Sequence, residues 1–102
     1  MKSVDTMAKI VVDWISPLLP DRFRDPMNTA IKLAEEVAEL QHSIYMKDGD
    51  AGQECADILI LLVDVAYLLE IDLEAEFDKK MKINMTREWK SQKGALKHEN
   101  AN

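Results

Sequence analysis

"LAEEVAELQHSIYMKDGDAGQECADILILLV", residues 33–63, joins two stretches of different character through one short polar turn. Before the turn, Leu33, Val37, Leu40 and Ile44 recur at three- and four-residue spacing, and Ala30 extends the row backwards. That is the period of an amphipathic helix, running to about Lys47. After the turn, residues 51 to 70 are apolar on nearly every side beyond Asp57. A helix of that kind has to be covered all round. The "KDGD" turn between the two, followed by Asp50 and Gln53 at capping-box spacing, makes them antiparallel neighbours.

The rest of the chain supplies two more helices. Val4, Met7, Ala8, Val11, Trp14 and Ile15 form the apolar side of a first helix, which the prolines of "SPLLP" end. "RDPMN" restarts the chain, with Asp25 as N-cap and Pro26 at the first helical position. Asp72 is expected to cap a fourth helix carrying Leu73, Phe77, Met81 and Met85 at four-residue intervals. "KGALKHENAN" is polar, so about residues 91–102 are expected to form a flexible tail. The expected fold is all-α: one domain over residues 1–102, bundle-like, with four antiparallel helices. Three short companions cannot enclose the third helix, which implies assembly as a homodimer or a dimer of dimers (a homotetramer).

Composition narrows the function. Glycine and proline number three each in 102 residues, which suits a helical chain. A formal charge of −6 argues against a nucleic-acid polymer as partner. The lone Cys55 allows no internal disulfide and fits a reducing cytoplasm. The longest aliphatic run, Ile58 to Val63, falls far short of the roughly 20 residues that span a bilayer. The early apolar stretch "IVVDWISPLL" carries Asp13 and lacks a small-residue cleavage site. A soluble cytoplasmic protein without a membrane partner is expected.

The carboxylates carry the chemistry. On a helical projection Lys32, Glu36, Glu39 and Ser43 lie along one flank of the second helix's apolar stripe, and Glu35 points further outward. Glu54 and Asp57 share a face of the third helix. Antiparallel packing lets these two acid pairs converge. Two carboxylates about 5 Å apart repel by roughly 3 kcal/mol at an effective dielectric near 20, so a converging set calls for a cation. All-oxygen ligation suits Mg²⁺, or Mn²⁺ in its place, rather than zinc. Seven of the thirteen basic residues fall between Lys79 and Lys97. Among them Lys80 and Arg87 share a face with Asn84, as a triphosphate partner would require.

"EEVAE", fourteen residues, then "ECAD" resembles the EExxE…ExxD signature of the MazG-like, all-α nucleoside triphosphate pyrophosphohydrolases. The family's "GIDxE" segment has its counterpart in "EIDLE", with Glu70 in place of the glycine, and "KMKINMTR" resembles its K…N..R pattern. The resemblance spans about residues 28 to 90. It implies Mg²⁺-dependent housecleaning hydrolysis of (deoxy)nucleoside triphosphates to monophosphate and pyrophosphate. By position it implies Glu36, Glu39, Glu54 and Asp57 as catalytic metal ligands and Glu35 as an accessory catalytic acid that orients or deprotonates water. Lys32, Lys80, Asn84 and Arg87 resemble phosphate or nucleotide contacts. Phosphoribosyl-ATP pyrophosphohydrolase, with a similar acid pattern, and a non-catalytic helical interaction module are the alternatives.

Other residues are read more plainly. Glu39 and His42 match half of a di-iron Glu-x-x-His pair, but the required second unit is missing. Cys55 reads as a small buried hydrophobe, and Trp14 and Trp89 as packing residues rather than base platforms. Asp64 is either paired with Arg87 or Lys80, or solvated.

Overall fold

The computed structural model describes residues 2–87, 89–92 and 95–98. Four helices carry the fold: α1 (Val4–Ile15), α2 (Pro26–Met46), α3 (Ala51–Leu68) and α4 (Leu73–Thr86). The all-α expectation holds for the body of the protein, and no described helix is long and apolar enough to cross a membrane. β1 (Trp89–Gln92), which begins just before the segment read as a polar tail, pairs antiparallel with β2 (Ala95–His98) inside it, an element that expectation lacked. Residues 93, 94 and 99–102 of that segment lie outside the described residues.

Local chemistry sets the helix limits. The Ser3 hydroxyl accepts from Thr6 N–H at 3.1 Å and starts α1. Asp25 accepts from Met27 N–H at 2.9 Å, with Pro26 in the first turn of α2. Asp72 accepts from Ala75 N–H at 3.1 Å and starts α4. The capping box expected at α3 is not formed. Asp50 occupies the cap position without a side-chain bond, and Asp48 accepts from Asp50 N–H at 2.9 Å instead. The turn thus caps itself one residue pair earlier, as an Asx turn.

The pair α2–α3 forms the main antiparallel unit, α1 packs on α3, and α4 touches the others sparsely, chiefly at α1. Core positions are few: Val11, Val63 and Ala66 are buried, with Val63 only 2% exposed. The buried residues of α2 are Glu36 and Ser43, not its apolar stripe. Helical rotation explains this. Glu36 and Ser43 sit roughly 60–80° round from Leu33, so α3 docks on the polar flank of the stripe and leaves Val37 and Ile44 largely open. The stripe of α4 is likewise only partly covered, with Leu73 and Met81 half-buried, Phe77 64% exposed and Met85 exposed. One chain therefore does not close the expected bundle around its fourth helix.

Candidate metal and active site

The acid pairs do converge where α2 faces α3. One carboxylate oxygen each from Glu36, Glu54 and Asp57 lies within 4.8 Å of the others. Glu36 is buried and Asp57 exposed, so the group forms a cup open on one side. Glu39 stands outside this trio. It is exposed, and with Glu54 and His42 it lines a cavity of ≈ 380 Å³ beside the cup.

Crowding alters the chemistry of the cup. The Glu54 carboxyl is pushed up from 4.5 to about 7, first by burial, then by its contact with Glu36 and the charge of Glu39. Oε2 of Glu36 and Oε2 of Glu54 are sealed from solvent and have no hydrogen-bond partner among the described residues. Buried polar atoms are nearly always partnered. Two orphaned carboxylate oxygens in one three-acid cup are the donor set of a hard divalent cation, and these residues fit one.

Lys32 Nζ lies 3.5 Å from Glu36 and 4.0 Å from Glu35, which places both residues at the rim of the cup. Glu35 is exposed, as the helical projection expected. On the other side of Glu36 and Asp57 a second cavity, ≈ 310 Å³, runs past Lys32 between α1 and α3 to Trp14 and Asp64. Trp14 is 61% exposed and so is not a core residue of the chain.

Asp64 is neither solvated nor bound to Lys80 or Arg87. It accepts from Arg24 Nη2 in a buried ion pair, with side chains only 5% (Arg24) and 8% (Asp64) exposed. Asp21 continues the network, accepting a hydrogen bond from Tyr67 and lying 3.7 Å from Arg24 Nη1. The bond to Asp21 and then burial push the Tyr67 phenol up. Sequence reasoning missed Arg24. The available signal was an acid on the bearing of Asp57 within an apolar helix, which demands a partner. The route of the 16–25 connector, not periodicity, decides which one.

The basic residues of α4 are not brought to the cup within one chain. Lys80 lines a cavity with Leu59, Leu62 and Phe77. The Asn84 amide lies 3.8 Å from Met81 Sδ, and Arg87 ends the helix with its N–H donating to Asn84 C=O at 3.3 Å. Among the described residues the three-carboxylate cup belongs to α2 and α3 alone. Cys55 is exposed rather than buried.

No family model matches the chain. Individual proteins do. It is 40% identical over 89 residues to a dATP/dGTP diphosphohydrolase of Cyanophage S-2L, covering 86% of this chain and 80% of that protein. A dATP/dGTP diphosphohydrolase of Salmonella phage PMBT28 is 37% identical over 87 residues, 85% of this chain but only 28% of the larger relative. Among solved structures, the Cyanophage S-2L MazG-like pyrophosphohydrolase bound to dGDP and three catalytic Mn²⁺ ions per active site superposes with a TM-score of 0.80. The identity is 38%, over 96% of this chain and 98% of that one. The acid pairs on adjacent antiparallel helices and this extent of likeness agree: the chain belongs to the MazG-like pyrophosphohydrolases, hydrolases that act on phosphoric anhydrides.

Proposed function

We propose that the protein hydrolyses deoxynucleoside triphosphates between the α- and β-phosphates, releasing monophosphate and pyrophosphate, with Mg²⁺ as cofactor and Mn²⁺ able to replace it. The observation that carries this reading is the cup of Glu36, Glu54 and Asp57 with its two orphaned oxygens. The relatives named for dATP and dGTP favour purine deoxynucleotides as substrates. The proposal includes a housecleaning role in the cytoplasm.

Glu36, Glu54 and Asp57 would hold the cation, with Glu39 completing the set from the neighbouring cavity. When bound, the cation supplies charge stabilisation at the phosphates and a more acidic water. Lys32, freed from Glu36 once the cup's charge is neutralised, is placed to bind a phosphate oxygen. Glu35, exposed at the rim, orients the attacking water and accepts its proton. Lys80, Asn84 and Arg87 are assigned to the phosphates in the assembled protein, since one chain leaves them off the cup. Assembly as a homodimer or homotetramer is supported by the open apolar faces of α2, α3 and α4.

The test is pyrophosphate release across the canonical deoxynucleotides, several damaged ones and phosphoribosyl-ATP, with Mg²⁺, with Mn²⁺ and with EDTA. Pyrophosphate from dATP and dGTP, abolished by EDTA, is the expected result. Orthophosphate with a nucleoside diphosphate, or full activity in chelator, would overturn it. A protein that binds no divalent cation would be an interaction module instead.

A further inference from the structure

Ser43 is buried on the α3 side of α2, only 5% exposed. A buried hydroxyl needs a partner. Its Oγ donates to Asp48 Oδ2 at 3.4 Å, and Asp48 Oδ1 accepts from Asp50 N–H at 2.9 Å. Asp48 thus joins the end of α2 to the start of α3. The turn between them has left-handed backbone at Lys47 and Gly49, and α3 has no side-chain cap of its own. An uncapped first turn frays readily.

That first turn carries Glu54, whose N–H donates to Asp50 C=O at 3.1 Å. Ser43 and Glu36 stand two turns apart on one side of α2, and Glu54 stands one turn after Asp50 on α3. The cup and the Ser43–Asp48 bridge are therefore neighbouring steps of one helix pair, and Ser43, Asp48, Glu39 and Glu54 line one cavity. Like charge on Glu36 and Glu39 pushes Glu54 outwards, in the direction of fraying.

We propose that Asp48 is a positioning residue for the cation site: by tying the Ser43 hydroxyl to Asp50 N–H, it fixes the first turn of α3 and holds Glu54 in the cup. The inference rests on the reading of the cup as a cation site and adds a residue outside the two acid pairs. Asp48 acts through the backbone of Asp50, not as a ligand. A carboxylate held in place beforehand need not be ordered when the cation arrives, which strengthens binding. Charge and position make different demands here. Asn at residue 48 keeps an acceptor for Asp50 N–H and offers its amide to the Ser43 oxygen, without the charge. Ala keeps neither bond.

The test combines Mn²⁺ affinity, by titration calorimetry, with amide exchange of the metal-free protein. Asp48→Ala is expected to weaken Mn²⁺ binding about tenfold or more. Asp48→Asn should recover most of that loss, and Ser43→Ala, which removes only the anchor on α2, should fall between them. In metal-free Asp48→Ala the Asp50 and Glu54 amides should exchange about tenfold faster, while Val63 in the middle of α3 keeps its rate. Unchanged Mn²⁺ affinity in Asp48→Ala overturns the proposal. So does an Asp48→Asn as weak as Asp48→Ala, because charge alone then explains the loss. Exchange that quickens equally at Val63 overturns it as well, since Asp48 then supports the whole fold. Should Asp48→Ala not fold, Ser43→Ala decides. Full Mn²⁺ affinity there sinks the proposal, and weaker affinity with faster exchange confined to residues 50 to 54 sustains it. An unaltered protein that binds no Mn²⁺ removes the cation reading and this proposal with it.

Discussion

The two flanks of α3 solve opposite problems. On one, Asp57 and Asp64 face α2 and the 16–25 connector, and Asp64 has its partner within the chain. On the other, roughly 160° round from Asp64, Leu62 stands beside Leu59 with only the sparse cover of Leu73 and Phe77 from α4. The polar flank is assembled by a single chain and holds unfavourable charge. The apolar flank holds no charge and lacks cover. Buried like charge invites a cation, and open apolar surface invites another protein surface. The same helix thus separates the chemistry from the assembly.

Breaking the apolar flank should have the largest effect. Leu62→Asp places a charge where the proposed neighbouring copy packs, and the expected result is loss of assembly or of folding, read by sedimentation and circular dichroism. A folded 11.6 kDa monomer of the unaltered protein at micromolar concentration would show instead that the flank needs no cover. On the polar flank, Arg24→Ala leaves Asp64 buried and uncompensated. A loss of about 3–5 kcal/mol of unfolding free energy is expected, measured by urea denaturation. A change below about 1 kcal/mol would mean that water reaches Asp64 freely.

Glu54 sharpens the contrast further. Glu54→Gln should lower turnover at least about a hundredfold by removing a cation ligand. It should also raise the melting temperature of the metal-free protein above pH 7, because it removes charge from the crowded cup. Stability and activity then move in opposite directions, as they do at strained functional sites. The pH dependence has a definite sign. The folded protein holds the Glu54 proton up to about 7 against 4.5 for the free side chain. Its contribution to stability is fully present below 4.5 and lost as pH rises through about 7. Metal-free melts should therefore fall between pH 5 and pH 8 by an amount that Glu54→Gln reduces. Cation affinity should run the other way, rising up to about tenfold per pH unit below 7 as the proton is displaced. Titration calorimetry showing a flat affinity would place the cation away from Glu54.

The sequence made the helices and the cup legible for a local reason. Apolar period, proline and Asp caps fix α1, α2 and α4 within a residue or two, and acid spacing on two adjacent helices brings Glu36, Glu54 and Asp57 together. What stayed hidden depends on contacts between distant segments. Arg24 finds Asp64 through an irregular connector. Trp14 is exposed in the single chain although it lies on the Val11 side of α1, which faces α3. The α2 stripe reads as core, yet Glu36 and Ser43 on its polar flank are the buried residues, while Leu33 and Leu40 are half-buried and Val37 and Ile44 exposed. Periodicity identifies a face but not the rotation at which two faces dock. Lys80, Asn84 and Arg87 share a face as read, but a shared face does not say which site it serves.

The smallest effect lies in the turns that end α2 and α3. Both reverse the chain through left-handed backbone: Lys47 at φ 52° and Gly49 at φ 86° after α2, Glu70 at φ 57° after α3. The second turn is a Schellman closure, with Ile71 N–H bonded to Ala66 C=O at 2.8 Å. Such closures favour glycine, and glycine is the residue that the MazG-like pattern has where this chain carries Glu70. An L side chain there costs about 1–2 kcal/mol, part of which glycine returns through the greater freedom of its unfolded chain. Glu70→Gly is thus expected to stabilise the protein by about 0.5 kcal/mol, a rise of some 2–4 °C in Tm for a domain of this size. Gly49→Ala should do the reverse, by about 1 kcal/mol, and for backbone reasons alone, since a Cβ at Gly49 would meet nothing within 4 Å. Thermal melts of the pair isolate the backbone term. If Glu70→Gly lowers Tm, the glutamate side chain itself contributes at that turn, and the departure from glycine serves the α3–α4 junction.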